Sequence, residues 1–140
     1  MKIESITSVA VITSDVSASR ALYMDALELP LKQLDSDYFA SEEVAGCRHF
    51  GVWPLAQAAE ACFGTRTWPE DIPKPQVSLE FEVAGAPAVA DGAEELRSRG
   101  YQMLHDAKTE PWGQIVARLL SPESAVVGLC YAPSLHDEPS

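Results

Sequence analysis

Between Val77 and Val83 the chain reads VSLEFEV, apolar and polar in strict alternation, which is the period of a strand with one face on a core. Val77, Leu79, Phe81 and Val83 form the apolar set, so Ser78, Glu80 and Glu82 point the other way. The following residues change to helical spacing. Pro87 suits a first turn, Val89, Ala93 and Leu96 form an apolar stripe, and Gly100 suits the exit. YQMLHDAKTE, GQIVARLLSP and SAVVGLCYAP then read as three more strands, the last two joined by a turn at Pro122–Ser124.

The first half has the same order. Residues 5–13 read as a strand with Val9 and Val11 on one face and Ser8, Ala10 and Ile12 on the other. Ser14 or Asp15 is placed to cap a helix over 16–27, whose Val16, Tyr23, Ala26 and Leu27 share a side. LPLKQL, DYFAS and CRHFGVWP read as three short strands, LAQAAEACFG as a short helix, and TRTWPEDIPKPQ, with three prolines, as an extended linker. The pattern is βαβββ twice: module one over about 3–64, a linker over about 65–75, module two over about 76–133, and a tail over 134–140 that is expected to be disordered. The fold class is α+β, a single domain over 1–133.

Each module has one helix to cover one face of four strands, so the uncovered faces, curling toward each other, should enclose a cleft. Alternation sends Ser8, Ala10 and Ile12, then Ser78, Glu80 and Glu82, then Gly128, Cys130 and Ala132 to that cleft, with Leu79 and Phe81 against the helix. On CRHFGVWP it is read as placing Val52 and Pro54 on the cleft side and His49 away from it. His105, whose neighbour Asp106 points to the opposite face, and His136 in the tail read as ordinary histidines.

Composition narrows the function classes. A chain of 140 residues with 46% hydrophobic and 22% charged residues can bury a core without staples. No apolar run reaches the roughly 18–20 residues that span a bilayer, and the N-terminus has no secretory signature. Cys47, Cys62 and Cys130 are odd in number and form no CxxC pair, as expected of reduced thiols in a cytoplasmic protein. A formal charge of −11 argues against nucleic-acid and anionic-membrane partners and would attract a cationic small molecule.

The paired βαβββ modules and the stretch EPWGQIVARLLSPESAVVGLCYAP resemble the vicinal oxygen chelate superfamily, which includes glyoxalase I, extradiol dioxygenases and bleomycin-resistance proteins. The resemblance covers about Ile3 to Pro133. It implies two curled sheets around a cleft and, in metal-dependent members, ligands near the start of the first strand of each module and near the end of the last. Carried over, those places fall on Ser8, Ser78, Gly128 and a position near Pro54, all poor ligands or none for a divalent ion that needs about three N, O or S donors. No metal and no other cofactor is therefore expected.

What remains for the cleft is Glu80 and Glu82, with Arg118 or Arg48 as possible ion-pair partners. Tyr38, Phe50, Trp53 and Trp112 are candidate apolar walls, and Gln114 a hydrogen-bond handle. The resemblance implies a metal-independent small-molecule-binding protein of the bleomycin-resistance type, with no catalytic residue, and the acidic balance and the cleft glutamates fit a cationic or amphipathic ligand. The alternatives are a lyase, isomerase or dioxygenase with a relocated metal site, and a metal-free catalyst with Glu80 as general base. Open sheet edges suggest a homodimer.

Overall fold

A computed structural model describes residues 1–136. Its strands are β1 (Ser5–Thr13), β2 (Lys32–Asp35), β3 (Tyr38–Ser41), β4 (Phe50–Pro54), β5 (Val77–Glu82), β6 (Met103–Thr109), β7 (Ile115–Leu120) and β8 (Val126–Tyr131). The helices are α1 (Val16–Arg20), continued by a π-helical segment Ala21–Ala26, then α2 (Leu55–Phe63), α3 (Ala86–Ser98) and α4 (Pro133–His136). The βαβββ order thus occurs twice. The expected tail begins with α4, and the remainder of it, 137–140, lies outside the described residues. Among the described residues no helix is long and apolar enough to cross a membrane.

The strands form one sheet of eight, in the order β2-β3-β4-β1-β5-β8-β7-β6. The two modules are therefore halves of a single sheet, joined where β1 runs antiparallel to β5. Within each half the first strand pairs in parallel with the last, β1 with β4 and β5 with β8. The seam carries a bulge between Ile6 and Ser8. A bulge adds a residue without a partner and breaks alternation. Consecutive Thr7 and Ser8 are accordingly both buried.

Helices cover the outer face in two places. Asp15 caps α1, its carboxylate accepting from Ala18 N at 3.0 Å. Outside β4 lies a cluster of Val16, Tyr23, Met24, Leu31, Phe39, Phe50 and Val52. α3 sets Val89 and Ala93 against Val83 and Ala117. Leu79 and Phe81 do face outward, but they are only half-buried at the seam, and of their strand's apolar set Val83 is the residue that joins the α3 cluster.

The inner face is not left open along its whole length. α2 packs onto it, burying Ala58, Ala59, Ala61 and Cys62 against Ala10, Ile12, Trp53 and Val126. The linker is anchored by buried Trp68, which meets Phe63 edge-on at 4.9 Å between centroids and donates to Ile72 O at 3.1 Å. One end of the trough is thereby a core, and the other end is the cleft.

On β4 the expected facing is reversed. Phe50 and Val52 lie outside, with Phe50 5.8 Å from the Tyr23 ring, while His49 and Trp53 face inward. The cause is that β4 is buried on both faces, under the α1 cluster and under α2, so its apolar residues fall on both parities and alternation carries no sign.

Candidate functional site

The open end of the trough is a cavity of about 780 Å³. Its floor is one transverse row of the sheet. Register pairs Ser8 with Glu80, Glu80 with Gly128, Gly128 with Arg118, and Arg118 with His105. On the other side of Ser8, Val9 N donates to His49 O at 3.0 Å, which sets His49 beside Ser8. Strands lie about 4.8 Å apart, so this row brings together residues far apart in sequence.

Glu80 is the centre of the floor. Its Oε1 accepts from Ser8 Oγ at 2.7 Å and from Gln114 Nε2 at 2.9 Å. Gln114 is fixed in turn, because its Oε1 accepts from Trp112 Nε1 at 2.8 Å. Trp112 stands at the rim, 60% exposed, on the turn between β6 and β7. Gly128 leaves the space for Glu80: a Cβ there would lie 3.3 Å from Glu80 Cγ and 3.2 Å from Val116.

Arg118 is the buried cation of the site, its side chain 1% exposed. Its NH1 donates to Glu110 Oε1 at 2.8 Å, with Ala61 O at 3.5 Å and His105 Nε2 at 3.3 Å. Its NH2 lies 3.7 Å from Glu80 Oε2, beyond hydrogen-bond range, and NH2 and Nε are buried without a hydrogen-bond partner among the described residues. Glu110 is thus its close counter-ion, and Glu80 a second, looser one. Lys108 Nζ lies 3.6 Å from Glu110 Oε1. Burial, with Arg118 and Lys108 near, depresses the His105 pKa and favours the neutral ring.

On the opposite wall Tyr38 Oη and His49 Nε2 are 2.6 Å apart, and Glu42 Oε2 lies 3.8 Å from His49 Nδ1. Tyr38 lies across β4 where a side chain is missing, since a Cβ on Gly51 would stand 2.7 Å from its Oη. Burial first, then the charges of Glu80 and Glu42, raise the Tyr38 pKa and keep the phenol protonated. Burial likewise pushes the Cys62 thiol up to about 11, which makes it a packing group.

Of the residues expected to line the cleft, Ser8, Tyr38, Ser78, Glu80, Trp112, Gln114 and Arg118 do so, as does Trp53. Three do not. Phe50 is on the outer face with Val52. Gly128 lies beneath Glu80. Glu82 is on the inner face but sealed over: it accepts from Thr7 Oγ1 at 2.6 Å and from Ala132 N at 2.7 Å, holding the chain where Pro133 and Ser134 reach the cavity. Sequence reasoning missed His49, Glu42 and Asp35 in the lining, and Glu110 behind Arg118. Pairing of a buried arginine with a second carboxylate was the available signal for Glu110, two residues before Trp112.

No protein-family profile matches the chain and no curated protein matches it. Solved structures do. A Streptomyces coelicolor methylmalonyl-CoA epimerase variant in complex with 2-nitronate-propionyl-CoA superposes with a TM-score of 0.60 at 13% identity, covering 99% of this chain and 100% of that one. A glyoxalase/bleomycin resistance protein/dioxygenase superfamily member from Vibrio splendidus 12B01 gives 0.58 at 10%, covering 94% and 100%. The fold is that of the glyoxalase/bleomycin resistance/dioxygenase superfamily. A chain described as NAD-dependent benzaldehyde dehydrogenase from Legionella pneumophila also superposes, at 0.57 and 12% identity over 89% of this chain and 96% of that one. Such different descriptions on one fold leave function to the site.

The glyoxalase/bleomycin resistance/dioxygenase fold implies a divalent metal in part of that superfamily, and the donors here do not fit one. Ser8 spends its hydroxyl on Glu80, and Gly128 has no donor. Among the described residues no three His, Cys, Asp or Glu side chains group closely enough to hold an ion.

Proposed function

We propose that this chain binds a small amphipathic organic cation in the cleft, without a metal, in the manner of a sequestering protein. The observation that carries this reading is the charge of the lining. Among the described residues, Asp35, Glu42 and Glu80 border the cavity against one cation, Arg118, which Glu110 engages from behind. Tyr38, Trp53 and Trp112 supply flat apolar surface for the rest of the ligand. A unit positive charge about 4 Å from Glu80, at an effective dielectric near 20, gains roughly 4 kcal/mol before desolvation. Arg118, 3.7 Å from Glu80 Oε2, opposes part of that gain, and Asp35 and Glu42 leave the lining acidic. A thermal-shift series with cationic, neutral and anionic members of one aromatic scaffold tests it. The cation should raise the melting temperature most, and the increment should shrink with salt because screening at 0.15 M acts over roughly 8 Å. Stabilisation by the anion alone would overturn the reading.

One observation favours a second reading, metal-free acid–base catalysis. Ser8 and Gln114 orient Glu80 by its Oε1, which leaves Oε2, 3.7 Å from Arg118 NH2, as a candidate base. Exchange of the acidic C–H of a ketone or thioester with solvent deuterium, abolished by Glu80→Gln, would support catalysis over simple binding.

A further inference from the structure

The cleft's polarity is more specific than its charge, because hydrogen-bond direction is also fixed. Tyr38 Oη and His49 Nε2 are 2.6 Å apart. That separation is a close hydrogen bond whose direction follows from the His49 tautomer. Glu42 Oε2 beside His49 Nδ1 favours the tautomer with its proton on Nδ1, which makes Nε2 the acceptor. Neutral imidazole nitrogen is also the better acceptor of the pair and the phenol the better donor. Both lines give the same direction. Tyr38 donates to His49, and its oxygen is left with lone pairs only.

Glu80 Oε1 is committed to Ser8 and Gln114, and among the described residues no side chain donates to Oε2 within hydrogen-bond range. Residues on two walls of the cavity therefore carry acceptors, the Tyr38 phenol on the β4 side and the Glu80 carboxylate on the β5 side. Ser8 lies between them in the sheet. A methylated quaternary ammonium could satisfy the charge but neither acceptor. A group with several N–H donors satisfies both.

We infer that the cleft selects an N–H-bearing cation, a primary ammonium or amidinium, with the Tyr38 oxygen as an obligate acceptor set by His49 and Glu80 as its counter-ion. This rests on the cation-binding reading above and goes beyond it, since charge alone would favour a quaternary ammonium between aromatic walls equally well.

Phenethylammonium and N,N,N-trimethylphenethylammonium are the probes, titrated calorimetrically into wild type and Tyr38→Phe. The primary amine should bind wild type about tenfold more tightly, the worth of roughly one well-made hydrogen bond. Tyr38→Phe should weaken it toward the trimethyl compound and leave the latter unchanged. Equal wild-type affinities, or tighter binding of the trimethyl probe, would overturn the inference while leaving the cation reading intact. Binding of neither probe would overturn both. Melting curves check that Tyr38→Phe is folded. Nitrogen-15 spectra of the His49 ring in mildly alkaline buffer test the premise without a ligand: a proton on Nδ1 is expected, and a proton on Nε2 would refute it.

Discussion

Glu110→Gln should weaken cation binding although Glu110 does not line the cavity. In the structure the Arg118 guanidinium is held by Glu110 at 2.8 Å and stands back from Glu80 at 3.7 Å. At an effective dielectric near 20 these separations correspond to roughly 6 and 4.5 kcal/mol of attraction. Once Glu110 is neutral, Arg118 NH2, which has no hydrogen-bond partner among the described residues, can close on Glu80 Oε2. Closing that gap recovers roughly 1.5 kcal/mol, and an incoming cation must then give up the same amount, about tenfold in affinity. Stability should fall as well, because breaking a buried ion pair costs about 3–5 kcal/mol, less whatever Glu80 recovers. In a domain of this size that is a loss of roughly 5–15 °C in melting temperature. Calorimetric titration of a cationic probe, with a melting curve on the same sample, measures both. A lowered melting temperature with unchanged cation affinity would refute the reasoning, since Arg118 would not have re-aimed.

Two further outcomes follow from packing and titration. Gly51→Ala puts a methyl 2.7 Å from Tyr38 Oη, so the ring must move off His49. A cost of about 1–3 kcal/mol in denaturant unfolding is expected, together with loss of the preference for primary amines. The pKa of His105 is depressed by burial and by Arg118, so the unfolded chain binds its proton more readily than the folded one. Its contribution to stability is complete above the unfolded value of about 6.5 and is lost as pH falls below it, so melting curves across that range should show a slope that His105→Asn flattens.

Much of this was legible in the residues. VSLEFEV states its own facing, because one face is apolar and the other is Ser78, Glu80 and Glu82, and β5 lies as that pattern says. The repeat of strand, helix and three strands was legible for the same reason, and so were Pro87 and Gly100 at the ends of α3. The failures have local causes. HFGVWP is apolar on both parities because both faces are covered, and reading it the wrong way round exchanged Phe50 for His49. The bulge at Ile6–Ser8 turns Thr7 inward, which no alternation can foresee. Glu82 was placed on the correct face but not under the Ala132 backbone, since that contact joins residues 50 apart in sequence. Short-range pattern gives facing, and long-range covering decides what a facing residue meets.

The central proposal is an acidic cleft that would hold its ligand by side chains alone. Titration of phenethylammonium into protein freed of metals with a chelator is the direct measurement. Saturable one-to-one binding is expected, unchanged by the chelator and weakened about tenfold or more by Glu80→Gln. Binding that appears only after a divalent metal is restored, or that survives Glu80→Gln undiminished, would contradict it.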